Sequence, residues 1–143
     1  MNVASILKGK GTDIIAAKAG DDISAIASLL AENRIGAVLV LDEGRQVLGV
    51  ISERDIVRGL AESGDACLKS DVSSLMTKNV ITCSPSDTVD QVMSLMTEKR
   101  IRHLPVMEGK ELVGFISIGD IVKMRISEVE QEAAAMRDYI ATG

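Results

Sequence analysis

The feature that most constrains the fold of this chain is an internal repeat. A shift of 66 positions takes Ile15 to Ile81, and after one residue drops out near Glu43 a shift of 65 takes Gly49 to Gly114. The matched segments read GVISERDIV in copy one and GFISIGDIV in copy two. Self-similarity of this kind indicates one supersecondary unit that is used twice. The 143 residues, of which 46% are hydrophobic, therefore form two related halves with enough apolar surface for a core.

Within each copy the hydrophobic period changes in the same order, which predicts strand, helix, strand, strand and helix. In copy one these are a strand at residues 14–15, a helix capped at Asp21 or Asp22, strands at 37–41 and 47–51, and a helix beginning at Ser52. In copy two they are a strand at residues 80–81, a helix capped at Asp87 or Thr88, strands at 104–107 and 112–116, and a helix beginning at Ser117. Since one copy alone buries little surface, we expect an α+β fold of two β-α-β-β-α repeats, packed sheet to sheet with pseudo-two-fold symmetry, plus a C-terminal helix.

The repeat boundaries divide the chain into four segments. They are copy one at residues 1–64, a connector at 65–71, copy two at 72–124 and a C-terminal helix at 125–143. Upstream of the strands, VASIL from Val3 matches VSSLM from Val72, and a loop at residues 8–13 is longer in copy one. Along the last segment, apolar residues alternate at spacings of four and three, at Val122, Ile126, Val129, Ala133, Met136 and Ile140. This heptad seam packs either on its own body or on a partner subunit, and the sequence leaves both open.

Composition excludes several classes of function. Aromatic residues make up 1% of the chain, only Phe115 and Tyr139, and the net charge is -5, so neither stacking nor a basic surface favours nucleic acid as a partner. Cys67 and Cys83 have no metal-ligand spacing and are too few for a disulfide framework, which predicts a reducing cytoplasm. Apolar runs stay far below the roughly 20 residues of a membrane helix, so we expect neither a signal peptide nor a membrane partner.

The two matched segments each place a serine three residues before an aspartate at a predicted helix start. Taken alone, Ser52 with Asp55 and Ser117 with Asp120 predict capping boxes, in which the serine accepts from the aspartate amide and the aspartate reaches back. The same residues could also bind a ligand, and the two roles do not exclude each other.

Together with the strand opening VITCSPSDTV and with IRHLPV at residues 101–106, the paired segments resemble a tandem pair of cystathionine-beta-synthase (CBS) domains, called a Bateman module. The resemblance covers residues 3–124. It implies that each segment lies on the rim of one of two clefts between the repeats. There, Asp55 or Asp120 would bind the ribose hydroxyls of an adenosine ligand, and Ser52 or Ser117 would lie near its phosphate. A carboxylate can accept from two hydroxyls, and the amides of a helix start favour an anion.

Basic residues make the two implied clefts unequal. Copy two has Arg102 and His103 where copy one has neither, and copy one has Arg54 where copy two has glycine. In similar modules, residues at the position of Arg102 and His103 reach the phosphate of a nucleotide whose ribose is held by the other repeat. By that resemblance the Asp55 cleft gains the cations, and the Asp120 cleft is poorer in positive charge.

Other contacts with a nucleoside are also implied by the resemblance. Thr82, at the end of the first predicted strand of copy two, is similar to a residue that contacts the nucleoside in the family, whereas copy one has Ala16 there. With no aromatic residue nearby, the adenine needs an aliphatic slot, for which the candidates are Ile15, Ile81, Val38 and Met107.

The resemblance predicts a regulatory sensor of adenine nucleotides. AMP is the expected ligand, with ATP, ADP, NAD(H) and S-adenosylmethionine as rivals, in a homodimer that signals to a protein target outside this chain. His103 is the only histidine, and no nucleophile motif, metal-ligand set or phosphate loop accompanies it, so we expect no catalytic residues. The alternatives are an adaptor with vestigial clefts that acts through its C-terminal helix, and a hydrolase acting on a nucleotide.

Overall fold

The computed structural model describes residues 1–142. In chain order its elements are α1 (Val3–Lys10), β1 (Ala16–Lys18), α2 (Ile23–Asn33), β2 (Ala37–Leu41), β3 (Val47–Ser52), α3 (Glu53–Ser63), 3-10 helices at Gly64–Lys69 and Val72–Ser74, α4 (Val89–Lys99), β4 (His103–Glu108), β5 (Glu111–Ser117) and α5 (Ile118–Thr142). The expected α+β class is confirmed, as is the C-terminal helix.

Two compact units contain these elements, and they do not coincide with the two sequence copies. The first unit is Ile14–Ile81, and the second combines Met1–Asp13 with the chain from Thr82 onward. The beginning of copy one therefore packs with the body of copy two, and the beginning of copy two packs with the body of copy one.

The first unit is built on a three-stranded sheet of order β1-β2-β3, in which β1 is parallel to β2 and β2 is antiparallel to β3. Every residue of β2 is buried, because this strand is central in the sheet. The core of the unit consists of Ala17, Ile23, Ile26, Leu30, Val38, Val40, Ile51, Ile56, Cys67 and Val72.

The second unit has a sheet of two antiparallel strands, β4 and β5. The strand expected at residues 80–81 is wrong, since of residues 80–84 only Cys83 pairs with this sheet, through a parallel bridge to Val106. A turn begins at the next residue, where the Ser84 amide donates to the Asp87 carboxylate at 2.9 Å, so the chain leaves the sheet at once. In copy one the strand lies at Ala16–Lys18 and not at residues 14–15.

Local signals explain where the helices begin and end. Asp22 caps α2 by accepting from the Ala25 amide at 2.8 Å, and Thr88 forms a capping box with Gln91 at the start of α4. Gly64, with φ of 62°, ends α3. The loop expected at residues 8–13 is partly wrong, because α1 continues to Lys10.

Equivalent contacts hold the beginning of each copy in the unit of the other. The Val3 amide donates to the Asp87 carbonyl at 2.9 Å, and the equivalent Val72 amide donates to the Asp21 carbonyl at 2.8 Å. Beside these bonds, Leu7 lies against Gly114 of β5, and Met76 lies against Gly49 of β3. These two glycines match in the repeat, so the absence of a side chain at each makes room for the exchanged segment.

Candidate functional site

The two strand-to-helix junctions of the repeat have the same local geometry. At the first, Ser52 ends β3, and its amide donates to Asp55 Oδ2 at 2.9 Å. The Asp55 amide donates to Ser52 Oγ at 3.3 Å, and Ser52 Oγ lies 3.1 Å from Asp55 Oδ2. The capping box expected at this position is therefore confirmed.

The junction of copy two repeats this arrangement. The Ser117 amide donates to Asp120 Oδ2 at 2.8 Å, and the Asp120 amide donates to Ser117 Oγ at 3.2 Å. At both helix starts the cap engages Oδ2 of the aspartate. The position of each carboxylate is thus fixed by its own helix.

Asp55 is almost entirely removed from solvent. It is the one charged residue classed as buried within residues 1–142, with 9% of its surface exposed. Arg58 Nη1 lies 3.4 Å from Oδ1 of Asp55, on a side chain that is mostly exposed, which makes this a weak ion pair. Arg54, the residue before Asp55, is exposed.

Asp120 has a strong partner that sequence reasoning missed. Lys10, at the end of α1, lies with Nζ 2.7 Å from Asp120 Oδ2 and donates to the Phe115 carbonyl at 2.8 Å. Burial alone would raise the pKa of Asp120. The hydrogen bonds from Lys10 and Ser117 and the charge of Lys10 overcome this effect and hold that pKa below its usual value.

This contact corrects the expectation that Asp120 is poorly supplied with positive charge. Lys10 lies in what the sequence predicted as a loop of copy one, 110 positions from Asp120, and it belongs to no motif. Only the exchange of the N-terminal segments could have indicated the contact, because that exchange brings α1 to β5 and α5.

Arg102 and His103 lie in the second unit, beside the junction of their own copy. His103 pairs with Ser117 across β4 and β5, and the Arg102 carbonyl accepts from the Ile118 amide at 2.8 Å. The Arg102 side chain is exposed, and the half-buried His103 ring stacks on Phe115 with centroids 5.7 Å apart. In the second unit, Lys10 therefore contacts Asp120 directly, whereas Arg102 and His103 pair through their backbone with the junction that precedes it.

The residues expected to contact the nucleoside differ in exposure. In the first unit Ile15 is exposed and Ile81 half-buried, whereas Val38 is fully buried in the core and offers no surface. In the second unit Thr82 is exposed and Met107 half-buried. The sequence predicted Thr82 at the end of a strand, and this is wrong. Thr82 lies outside the strands and directly precedes the bridge at Cys83.

A groove of about 510 Å³ lies between α2 and α3 of the first unit. It is lined by Ala27, Leu30, Ala31, Arg34, Ile35, Gly36, Glu53, Ile56 and Val57. The site residues expected from the sequence do not line it. Within residues 1–142 there is no group of three or more His, Cys, Asp or Glu side chains placed to hold a metal ion. None of the helices in this range combines the length and the hydropathy of a membrane-spanning segment.

Comparison with known families matches most of the chain. The sequence model described as "CBS domain" matches twice, at residues 10–62 and at residues 72–127. The CBS domain-containing protein CBSX3, mitochondrial, of Arabidopsis thaliana is 30% identical over 149 aligned residues, covering 99% of this chain and 72% of that protein.

Solved structures agree with this match. A CBS-domain containing protein of Agrobacterium tumefaciens is 44% identical, with a TM-score of 0.85 over 87% of this chain and 92% of that one. The CBS domain pair of protein MJ0100 is 26% identical, with a TM-score of 0.79 over 90% of this chain and 98% of that one. The structure of that pair holds 5'-methylthioadenosine and S-adenosyl-L-methionine.

Proposed function

Because this chain belongs to the CBS domain family, we propose that it is a regulatory module that binds an adenine nucleotide and transmits its presence to a protein target. AMP is the proposed ligand, and ATP, ADP, NAD(H) and S-adenosylmethionine are its rivals. The adenosine compounds bound by the related pair of MJ0100 support this class of ligand. We propose a binding role without catalysis, in a reducing compartment such as the cytoplasm. The free, buried Cys67 and Cys83 are in keeping with that compartment, although the Arabidopsis relative is named as mitochondrial.

The observation that supports nucleotide binding most directly is that the helix caps leave hydrogen-bond acceptor sites on the carboxylates of Asp55 and Asp120. Each cap positions its aspartate through Oδ2, while a carboxylate has about four lone-pair sites on its two oxygens. Accepting capacity therefore remains for the two hydroxyls of a ribose. The start of the following helix adds amides that favour a phosphate.

The two aspartates are proposed to bind with different affinity. Lys10 already occupies Oδ2 of Asp120, so a ribose at this position competes with an ion pair or must share its oxygen. Asp55 has only the long contact with Arg58. We therefore propose that Asp55, with Ser52, Arg54, Ile15 and Ile81, forms the tighter site, and that Asp120, with Ser117 and Thr82, forms the weaker one. That Arg102 and His103 serve the Asp55 site stays a prediction from the family resemblance.

A thermal-shift panel with AMP, ADP, ATP, NAD, NADH and S-adenosylmethionine tests this function. A ligand at about 100 times its Kd adds roughly 2.7 kcal/mol to the free energy of unfolding, which raises Tm by about 5–10 °C for a chain of this size. We expect AMP to give the largest shift. Asp55→Asn should abolish most of it, and Asp120→Asn should leave most of it.

Asparagine is the informative substitution because it keeps an acceptor for the cap while it removes the charge and one carboxylate oxygen. Asp65→Asn, at an exposed position of the 3-10 helix Gly64–Lys69, is the matched control. If none of the six compounds raises Tm, the sensor proposal is wrong. The adaptor function then becomes the better interpretation, because α5 has exposed apolar residues that a partner could bind.

A further inference from the structure

The longest helix carries an apolar seam that remains exposed within residues 1–142. Near its start α5 packs on α4 and α1, with Ile121 fully buried. The seam lies on a different face, and its members Val122, Ile126 and Val129 are exposed. Further along, Met136 is 59% exposed and Ile140 71%. The seam thus continues from the part of the helix that packs on the body into a part that does not.

The distal part of α5 has no tertiary support within the described residues. Every residue from Glu130 to Thr142 is exposed, so no tertiary packing supports these turns. Isolated helices shorter than about 12–15 residues are marginal in water even when they are rich in alanine. The CBS match ends at residue 127, so this helical extension lies outside the part of the chain that the family explains.

Charges beside the seam indicate which partner fits. With the seam residues as heptad positions a and d, Arg125 and Glu132 fall at g, and Glu130 and Arg137 fall at e. In a parallel, in-register pair, each g residue meets the e residue five positions later on the other helix. Arg125 then faces Glu130 of a second copy, and Glu132 faces Arg137. Both combinations are attractive, and two-fold symmetry makes each of them twice.

We infer that α5 forms a parallel, in-register coiled coil with α5 of a second copy of this chain. A two-fold interface must be complementary to itself, which this pattern of charges satisfies. An antiparallel pair could be placed so that the charges in the proximal half of α5 match. In that register Met136 lies opposite Gly119, and Ile140 lies beyond the start of the partner helix. Only the parallel arrangement both covers the whole seam and pairs opposite charges along it. This interface goes beyond the proposed function and requires no nucleotide.

A charge swap at the distal pair tests the inference by sedimentation equilibrium. Arg125 also contacts Glu128 and Asp90 within its own chain, at 3.1 and 3.8 Å, so Glu132 and Arg137 are the better choice. Arg137→Glu places like charges together twice per dimer. It should raise the dimer Kd about tenfold. The double variant Glu132→Arg/Arg137→Glu should restore the Kd of the unmodified chain. An unmodified chain that stays monomeric overturns the inference, as does a dimer that is unaffected by Arg137→Glu or not restored by the swap.

Disulfide cross-linking distinguishes the direction of the helices. Ala133 is a seam residue that faces its own copy in the parallel pair, whereas the neighbouring Ala134 lies outside the seam. Under mild oxidation Ala133→Cys should form a disulfide dimer quickly, and Ala134→Cys should not. Cys67 and Cys83 are buried and serve as an internal control in the unmodified chain. Equal cross-linking at the two positions, or none at Ala133→Cys, shows that the helices do not pair in this way.

Discussion

At the scale of residues, the two aspartates of the repeat differ although their caps are the same. Both accept from the serine three residues earlier, through the same oxygen. Asp120 gains an ammonium group from α1, whereas Asp55 lies buried beside a weak contact with Arg58. A repeated motif thus supplies equal backbone geometry, and residues outside the motif set the electrostatics of each site.

Replacing Lys10 should produce a pH-dependent loss of stability. Lys10→Met should lower the free energy of unfolding by about 0.5–1 kcal/mol near neutral pH, as for other partly exposed ion pairs. Because the folded state lowers the pKa of Asp120, this contribution is present above the usual value of 3.8 and is lost as the pH falls through the lower folded value. Urea unfolding at several pH values measures the difference.

Lys8→Met is the control for this measurement. Lys8 occupies the same last turn of α1 and is exposed, so its interaction with the helix dipole is similar, but it has no part in the Asp120 contact. It should cost less than Lys10→Met at neutral pH. A loss for Lys10→Met that is as large at pH 2 as at pH 7 would show that the ion pair is not its cause.

The thiol of Cys83 should be unreactive in the folded chain. Burial, and to a smaller degree the charge of Asp87, raises its pKa from 9.0 to about 12. The thiolate is the reactive form, so its population falls about a thousandfold relative to the usual value. In iodoacetamide labelling followed by peptide mapping, Cys83 should react only on unfolding. The thiol introduced by Ala134→Cys, on the exposed face of α5, should react at once, and equal labelling rates would contradict this account.

At the scale of elements, sequence patterns identified those whose signals are local. Helices α2 and α4 begin at the capping residues Asp22 and Thr88, as expected, because an N-cap is decided within four residues. The prediction of a strand at residues 80–81 was wrong, because two apolar residues do not make a strand when a turn starts at Ser84. The contact of Lys10 with Asp120 could not be foreseen, since it depends on which body the N-terminal segment packs with.

Adding a methyl group at the two matched glycines should destabilise the strands to different degrees. At Gly49 a Cβ would lie 2.8 Å from the carbonyl oxygen of Thr77, which is backbone and cannot move aside alone. At Gly114 its neighbours belong to the flexible side chain of Leu7. We expect Gly49→Ala to cost about 2–3 kcal/mol and Gly114→Ala about 1 kcal/mol. Chemical denaturation measures both, and the reverse order would show that β5 is the less tolerant strand.

At the scale of the whole molecule, the order of the chain and the order of packing differ. Residues 1–13 belong by sequence to copy one and by packing to the second unit. The beginning of copy two, with Met76, belongs by packing to the first unit. Each compact unit therefore contains segments of both copies. A destabilising substitution in one copy should for this reason also destabilise the sheet of the other.

Reciprocal truncations of the two exchanged segments test this arrangement. Leu7 is buried against Gly114, so Leu7→Ala should cost about 2–3 kcal/mol and speed amide hydrogen exchange in β4 and β5, which lie in the other copy. Met76 is half-buried against Gly49, so Met76→Ala should cost less and speed exchange in β2 and β3. Mass-spectrometric hydrogen exchange reports both sheets in one experiment, and each variant is the control for the other. The effect of a lost side chain is greatest in the strands that it contacts. If Leu7→Ala speeds exchange in β2 and β3 and leaves β4 and β5 unchanged, each copy packs on its own beginning and the exchanged arrangement is wrong.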